Sequence, residues 1–152
     1  MTNTAKITKQ EIDELQDLLV RLTDSCKGYK SACELAESPT LETLFEKRSK
    51  QRDKFCEEIR TCLRECGAEN DMDGSMEAGA HRKFMELRSD MGGHDEAILK
   101  EVCRGESLLV ESYEDALEDC TPSSKIYSIL TRQLSSVRAD LQDAKQKAEL
   151  LD

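Results

Sequence analysis

The densest chemistry-bearing stretch of this chain is a run of nine polar residues, from Glu46 through Lys47, Arg48, Ser49, Lys50, Gln51, Arg52 and Asp53 to Lys54, set between Phe45 and Phe55. The apolar spacing on either side is helical, and a helix packed into a bundle needs an inward residue every three or four positions. Arg48 and Gln51 or Arg52 must therefore face the interior or its edge. A buried guanidinium requires a carboxylate, because an uncompensated internal charge costs about 3–5 kcal/mol. Glu106 is the natural partner, with Glu101 as the alternative. An arginine fork can hold either carboxylate in two bonds, which lysine cannot match. The same residues admit a second reading, in which the long arginine side chains snorkel past the core edge into water. Arg48, Gln51, Arg52, Glu101 and Glu106 are thus the candidate polar core, and its basic members cannot ligate a cation.

Other chemistry-bearing residues give less. Seven cysteines, Cys26, Cys33, Cys56, Cys62, Cys66, Cys103 and Cys120, include no Cys-x-x-Cys pair. Their odd number, with no apolar leader at Met1–Lys6, argues against a disulfide framework and for small buried hydrophobes. The acidic stretch Glu69–Gly74 imitates a calcium loop, with Gly74 at the sixth position and Glu69, Asp71, Asp73 and Glu77 at ligand positions. The twelfth position is Ala80 instead of the bidentate Glu, so helix capping by Asp73 or Ser75 is the simpler account. His81, beside Phe84 and Met85, reads as a packed, hydrogen-bonded histidine. No nucleophile has a positioned base and no glycine-rich phosphate loop occurs, so no catalytic residue and no cofactor is expected.

The composition fits long solvent-facing helices. Of 152 residues, 36% are charged and only 4% aromatic, with two Pro. The net charge of −10 disfavours nucleic acid and anionic membrane surfaces as partners. No apolar stretch approaches the ~20 residues of a membrane span, and a cytoplasmic location is expected.

These residues are positioned by helices expected at about 8–36, 39–66, 75–91, 95–119 and 122–150 in a single domain, 1–152. The first opens on a Thr8-x-x-Glu11 capping box and carries Ile12, Leu15, Leu19, Leu22, Cys26, Tyr29 and Cys33. Ser38–Pro39 starts the second as cap and first-turn proline, and Gly67 stops it. Gly92–Gly93 breaks the shorter helix, Asp95 can cap the next, and Thr121–Pro122 repeats the cap-then-proline signal. Near the helix midpoints the inward polar residues are Ser25, Arg52, Glu106 and Gln133. The pattern is all-α: a hairpin, a long crossover with its own shorter helix, and a second hairpin, each hairpin expected to be antiparallel.

Gly28–Tyr29, Gln51–Arg52, Gly74–Ser75, His81–Arg82, Gly92–Gly93, Ala97–Ile98 and Arg104-Gly105-Glu106, in that order, resemble a bacterial ferritin-like four-helix-bundle family of unknown function. The resemblance spans roughly residues 10–145 and implies a ferritin-like fold but little about activity. Relatives commonly carry Trp where this chain has Phe84, an acidic residue where it has Ser107, and His near Leu141. A di-iron centre of such a fold needs two lone Glu and two Glu-x-x-His motifs. Neither His81 nor His94 completes one, since Ala78 and Met91 stand three residues before them. The expectation is a cytoplasmic ferritin-like protein without a di-iron centre, acting through self-association as a dimer or through a protein partner. A stress-protective role is not separable from this. The alternative from another class is a metal- or thiol-dependent redox protein.

Overall fold

The computed structural model describes residues 7–68 and 94–151. The described residues form four helices and no strand: α1 (Lys9–Leu35), α2 (Pro39–Glu65), α3 (His94–Glu118) and α4 (Lys125–Leu151). The shorter helix expected at 75–91, the calcium-like stretch and His81 lie outside the described residues, as does the side chain of His94.

Local chemistry sets the helix ends. Thr8 and Glu11 form a reciprocal capping box, the Thr8 hydroxyl accepting from Glu11 N at 3.1 Å and the Glu11 carboxylate from Thr8 N at 3.0 Å. Ser38 caps α2 with Pro39 in its first turn. Gly67, at φ 74°, adopts the left-handed conformation that lets Ala68 N reach Leu63 O and Gly67 N reach Arg64 O, closing α2 in a Schellman motif.

Two expected starts are corrected. The last helix begins at Lys125 and not at Pro122, because Thr121–Ser124 closes a turn and the Ser124 hydroxyl accepts from Tyr127 N. Asp95 lies inside α3, and its carboxylate accepts from Glu37 N and Ser38 N at 2.8 and 3.0 Å. It therefore caps the turn before α2, across the bundle, where two backbone donors have no helical acceptor.

The helices pack as a four-helix bundle. The pairs α1–α2, α3–α4 and α1–α3 are closely apposed, while α2 and α4 meet sparsely. The apolar core falls into two parts. One contains Leu15, Leu22, Ile59, Leu109, Leu130 and Val137. The other contains Ala32, Phe45, Ile98, Leu99 and Ala144. Between these parts every helix contributes a polar inward residue: Ser25 on α1, Arg52 on α2, Glu106 on α3 and Asp140 on α4. A polar layer thus crosses the middle of the bundle.

A candidate functional site: the buried arginine layer

Arg52 is fully buried, the largest side chain so enclosed among the described residues. Its guanidinium has five N–H donors, and five hydrogen bonds meet it. Nη1 donates to Glu106 Oε1 at 2.5 Å and to Ser25 Oγ at 2.9 Å. Nη2 donates to Glu106 Oε2 at 2.8 Å and to Asp140 Oδ2 at 2.7 Å. Nε donates to Gln51 Oε1 at 3.2 Å. The fork grips Glu106 bidentately, as planar guanidinium–carboxylate geometry favours. The Tyr29 ring lies 5.2 Å from the guanidinium carbon, and its hydroxyl donates to Glu106 Oε2 at 2.8 Å.

The layer extends outward. Arg48 Nε meets Asp140 Oδ1 at 3.2 Å, and Arg48 Nη2 meets Asp143 Oδ2 at 3.0 Å. Lys147 Nζ holds the other Asp143 oxygen at 2.8 Å. Three cations thus face three carboxylates, with Arg52 and Glu106 innermost. A second rung lies beside it. Tyr113 donates to Gln133 Oε1 at 2.7 Å, Gln133 Nε2 donates to Glu58 at 3.0 Å, and Glu58 also holds Arg132. With Lys125–Glu65 these side chains bridge α2 and α4. Long polar residues span that seam, which accounts for the sparse apposition of its helices.

The electrostatics follow from burial and pairing. Burial alone would lower the Arg52 guanidinium, but Glu106 foremost, together with Tyr29 and Asp140, outweighs it and holds the group well above its ordinary value. Arg48 is likewise raised, because Asp140, Tyr29 and Asp143 together outweigh burial. Burial and the Glu106 charge push the Tyr29 phenol up, so that it stays a donor. Burial also pushes the Asp140 carboxyl up, against the opposing pull of Arg48 and Arg52. The Lys147 hydrogen bond keeps Asp143 low.

Of the residues singled out by spacing, Arg52, Gln51 and Glu106 come together, with Ser25 against the same guanidinium. Arg48 joins through Asp140. Glu101 does not: it pairs with Arg104 on its own helix, Arg104 Nε donating to it at 2.9 Å. Asp140, Tyr29 and Asp143 are members that the sequence did not single out. Asp140 was legible in principle, since Leu130, Gln133, Val137, Asp140 and Ala144 keep a strict three-four spacing.

The layer offers no open coordination. Both oxygens of Glu106 and both of Asp140 accept from guanidinium groups. Among the described residues no group of three or more His, Cys, Asp or Glu could hold a metal ion. All seven cysteines are free thiols. Burial pushes the Cys56 thiol up to about 11 and also raises Cys33, Cys62, Cys103 and Cys120, which disfavours the reactive thiolate. A shallow groove of about 470 Å³, lined by Lys54, Phe55, Glu58, Thr61 and Arg132, opens on the α2–α4 seam.

The fold and layer define a class: a four-helix bundle whose midpoint is closed by ion pairs running from the buried Arg52–Glu106 pair out to the partly exposed Asp143 and Lys147. Its family is shown by sequence. Residues 10–119 match the model described as Domain of unknown function (DUF2383), and the chain belongs to that family. The matched span holds Tyr29, Arg48, Arg52 and Glu106, while α4, which supplies Asp140, lies beyond it. No curated protein and no solved structure matches the chain. No helix of the described residues is long and apolar enough to cross a membrane.

Proposed function

We propose that this chain is a ferritin-like bundle of two antiparallel hairpins in which an internal arginine stands where such folds hold a di-iron centre, and that it acts through association with a second copy or a protein partner. The observation that carries this is Arg52, whose five donors are all satisfied by residues from all four helices. A guanidinium at that place repels a cation and engages the carboxylates that would ligate one. The residues present do not fit a di-iron centre.

The contact pattern supports the hairpin topology. Along α1, Cys33, Cys26 and Thr23 meet Glu42, Ser49 and Cys56 of α2 in turn, so the partners' numbers run oppositely. Asp95 reaches the α1–α2 turn, while Glu65 meets Lys125 at the other end. Ala68 and His94 thus stand toward opposite ends of the bundle, which supports a ferritin-like crossover. Helical bundles commonly associate as two-fold dimers, and a network without a substrate-accessible nucleophile supports a binding role over catalysis.

Elemental analysis of protein purified without chelator and then exposed to ferrous iron, followed by sedimentation, tests the proposal. The expected result is metal far below one equivalent and a species heavier than one chain, either alone or with a co-purifying protein. Two equivalents of iron bound per chain would refute it.

A further inference from the structure

The two halves of α4 are anchored by different chemistry. From Lys125 to Val137 the buried residues are Ile126, Leu130, Gln133, Leu134 and Val137, all but one of them apolar. Beyond Val137 the buried residues are Asp140 and Ala144, so the fully buried apolar anchor of the last turns is a single methyl group. Leu141 and Ala148 are half-buried beside it, while Leu150 and Leu151, 85% and 49% exposed, stand in solvent at the end. Ion pairs to α2 hold this part instead. Asp140 bridges two arginines, taking Arg48 Nε at 3.2 Å and Arg52 Nη2 at 2.7 Å, and Asp143 takes Arg48 Nη2 at 3.0 Å. Arg48 thus grips two carboxylates three residues apart on one face of α4. Asp143 is partly open to water, and such a pair adds little net stability because both partners regain hydration when it parts. Buried apolar surface has no such compensation.

From this change of anchorage we infer that residues 140–151 form a strap, latched by Arg48, which lifts from α2 as one unit while the rest of the bundle stays folded. Local openings of this kind are drawn from segments with few buried apolar contacts. The hinge falls between Val137 and Asp140, where the apolar anchorage ends. Arg52 keeps its place when the strap lifts. Of its five bonds only the one to Asp140 is lost, and those to Glu106, Ser25 and Gln51 lie on the other helices. The polar layer therefore has a fixed inner pair and a detachable outer latch. Lifting frees Arg48 from both carboxylates and uncovers the part of the core in which Ala144 packs with Phe45, Ile98 and Leu99.

Native-state hydrogen exchange of the full chain, read residue by residue, tests the strap. The backbone amides of residues 144–150 should share one opening constant, at least about tenfold larger than that of the Leu130, Leu134 and Val137 amides. Simple fraying would instead give protection that falls steadily toward Leu151 with no step after Val137, and that result overturns the strap. Arg48→Gln removes the latch and leaves Asp140 paired with Arg52. It should raise the shared opening constant by at least about tenfold more, with the first half of α4 and the other helices changed much less. Salt at about 1 M, where charges are screened within about 3 Å, should raise opening in the unaltered chain and have far less effect on Arg48→Gln. Equal loss of protection in all four helices of Arg48→Gln would show that Arg48 supports the whole bundle and that no strap opens separately. Unchanged protection of residues 144–150 in that variant would show that Arg48 is not the latch, and either result overturns the inference.

Discussion

Replacing Arg52 by leucine is the perturbation whose consequences follow most closely from the geometry. Glu106 loses both of its guanidinium bonds and keeps only the Tyr29 hydroxyl, so Oε1 is left without any of the donors described. Asp140 loses one bond but retains Arg48. The cost is therefore concentrated on Glu106, and a buried carboxylate deprived of its partner is worth about 3–5 kcal/mol. With a urea slope near 2 kcal/mol/M, that cost moves the unfolding midpoint down by about 1.5–2.5 M. Glu106→Leu alone strands Arg52 less severely, because Asp140 remains, and should cost about 2–3 kcal/mol. The double variant removes both charges and fills the space with apolar groups, a change that is often close to neutral. It should thus be more stable than the sum of the singles by at least about 2 kcal/mol. Equilibrium urea unfolding followed by circular dichroism, with the slope checked for constancy, gives the cycle directly. If the double variant equals the sum within about 0.5 kcal/mol, Arg52 and Glu106 are not coupled and the internal pair is refuted.

Further outcomes follow from the same contacts. Tyr29→Phe keeps the ring against Arg52 but removes a donor to buried Glu106, and should destabilise the fold by about 1–3 kcal/mol in the same assay; a neutral effect would mean the hydroxyl bond is dispensable. Although burial opposes it, hydrogen bonding at the capping box and to Thr121 holds the Glu11 carboxyl below its usual value. Its contribution is therefore full above the unfolded pKa and is lost as pH falls through the lower folded one. Glu11→Gln should accordingly flatten the acid limb of stability against pH, and an unaltered limb would contradict this. Buried Cys26, Cys56, Cys62 and Cys120 should react with a thiol reagent only at the rate of unfolding, while the half-buried Cys33, Cys66 and Cys103 react sooner. Seven thiols modified at one fast rate in native buffer would sink that ordering.

The polar layer was partly legible because helical periodicity is a strong constraint. An unbroken polar run flanked by Phe45 and Phe55 forces a basic residue inward, and the midpoints of the first, third and fourth helices supply Ser25, Glu106 and Gln133. Periodicity could not choose between snorkelling and pairing at Arg52, since that depends on whether four side chains from separate helices converge. Nor could it separate Glu101 from Glu106, which lie near each other on one helix but differ in depth. Tyr29 reads from spacing as an apolar stripe residue, and its ring is packed as one; its hydroxyl is what enters the layer. Spacing does not mark Asp140 as inward, because Leu141 beside it offers an equally regular apolar stripe and a single charged residue is ordinarily placed outside. The turn before α4 differed from the Thr121–Pro122 expectation because Ser124 competes as the cap.

The most direct measurement of the arginine layer is nuclear magnetic resonance of the guanidinium groups in protein labelled with ¹⁵N. If Arg52 is enclosed and paired on all five donors, its Nε proton and separate Nη protons should be visible, slow to exchange with water, and lost or shifted when Glu106 is changed to Gln. If instead the Arg52 protons exchange as rapidly, and average as freely, as those of exposed Arg138, the side chain reaches solvent and the closed midpoint of this bundle does not exist.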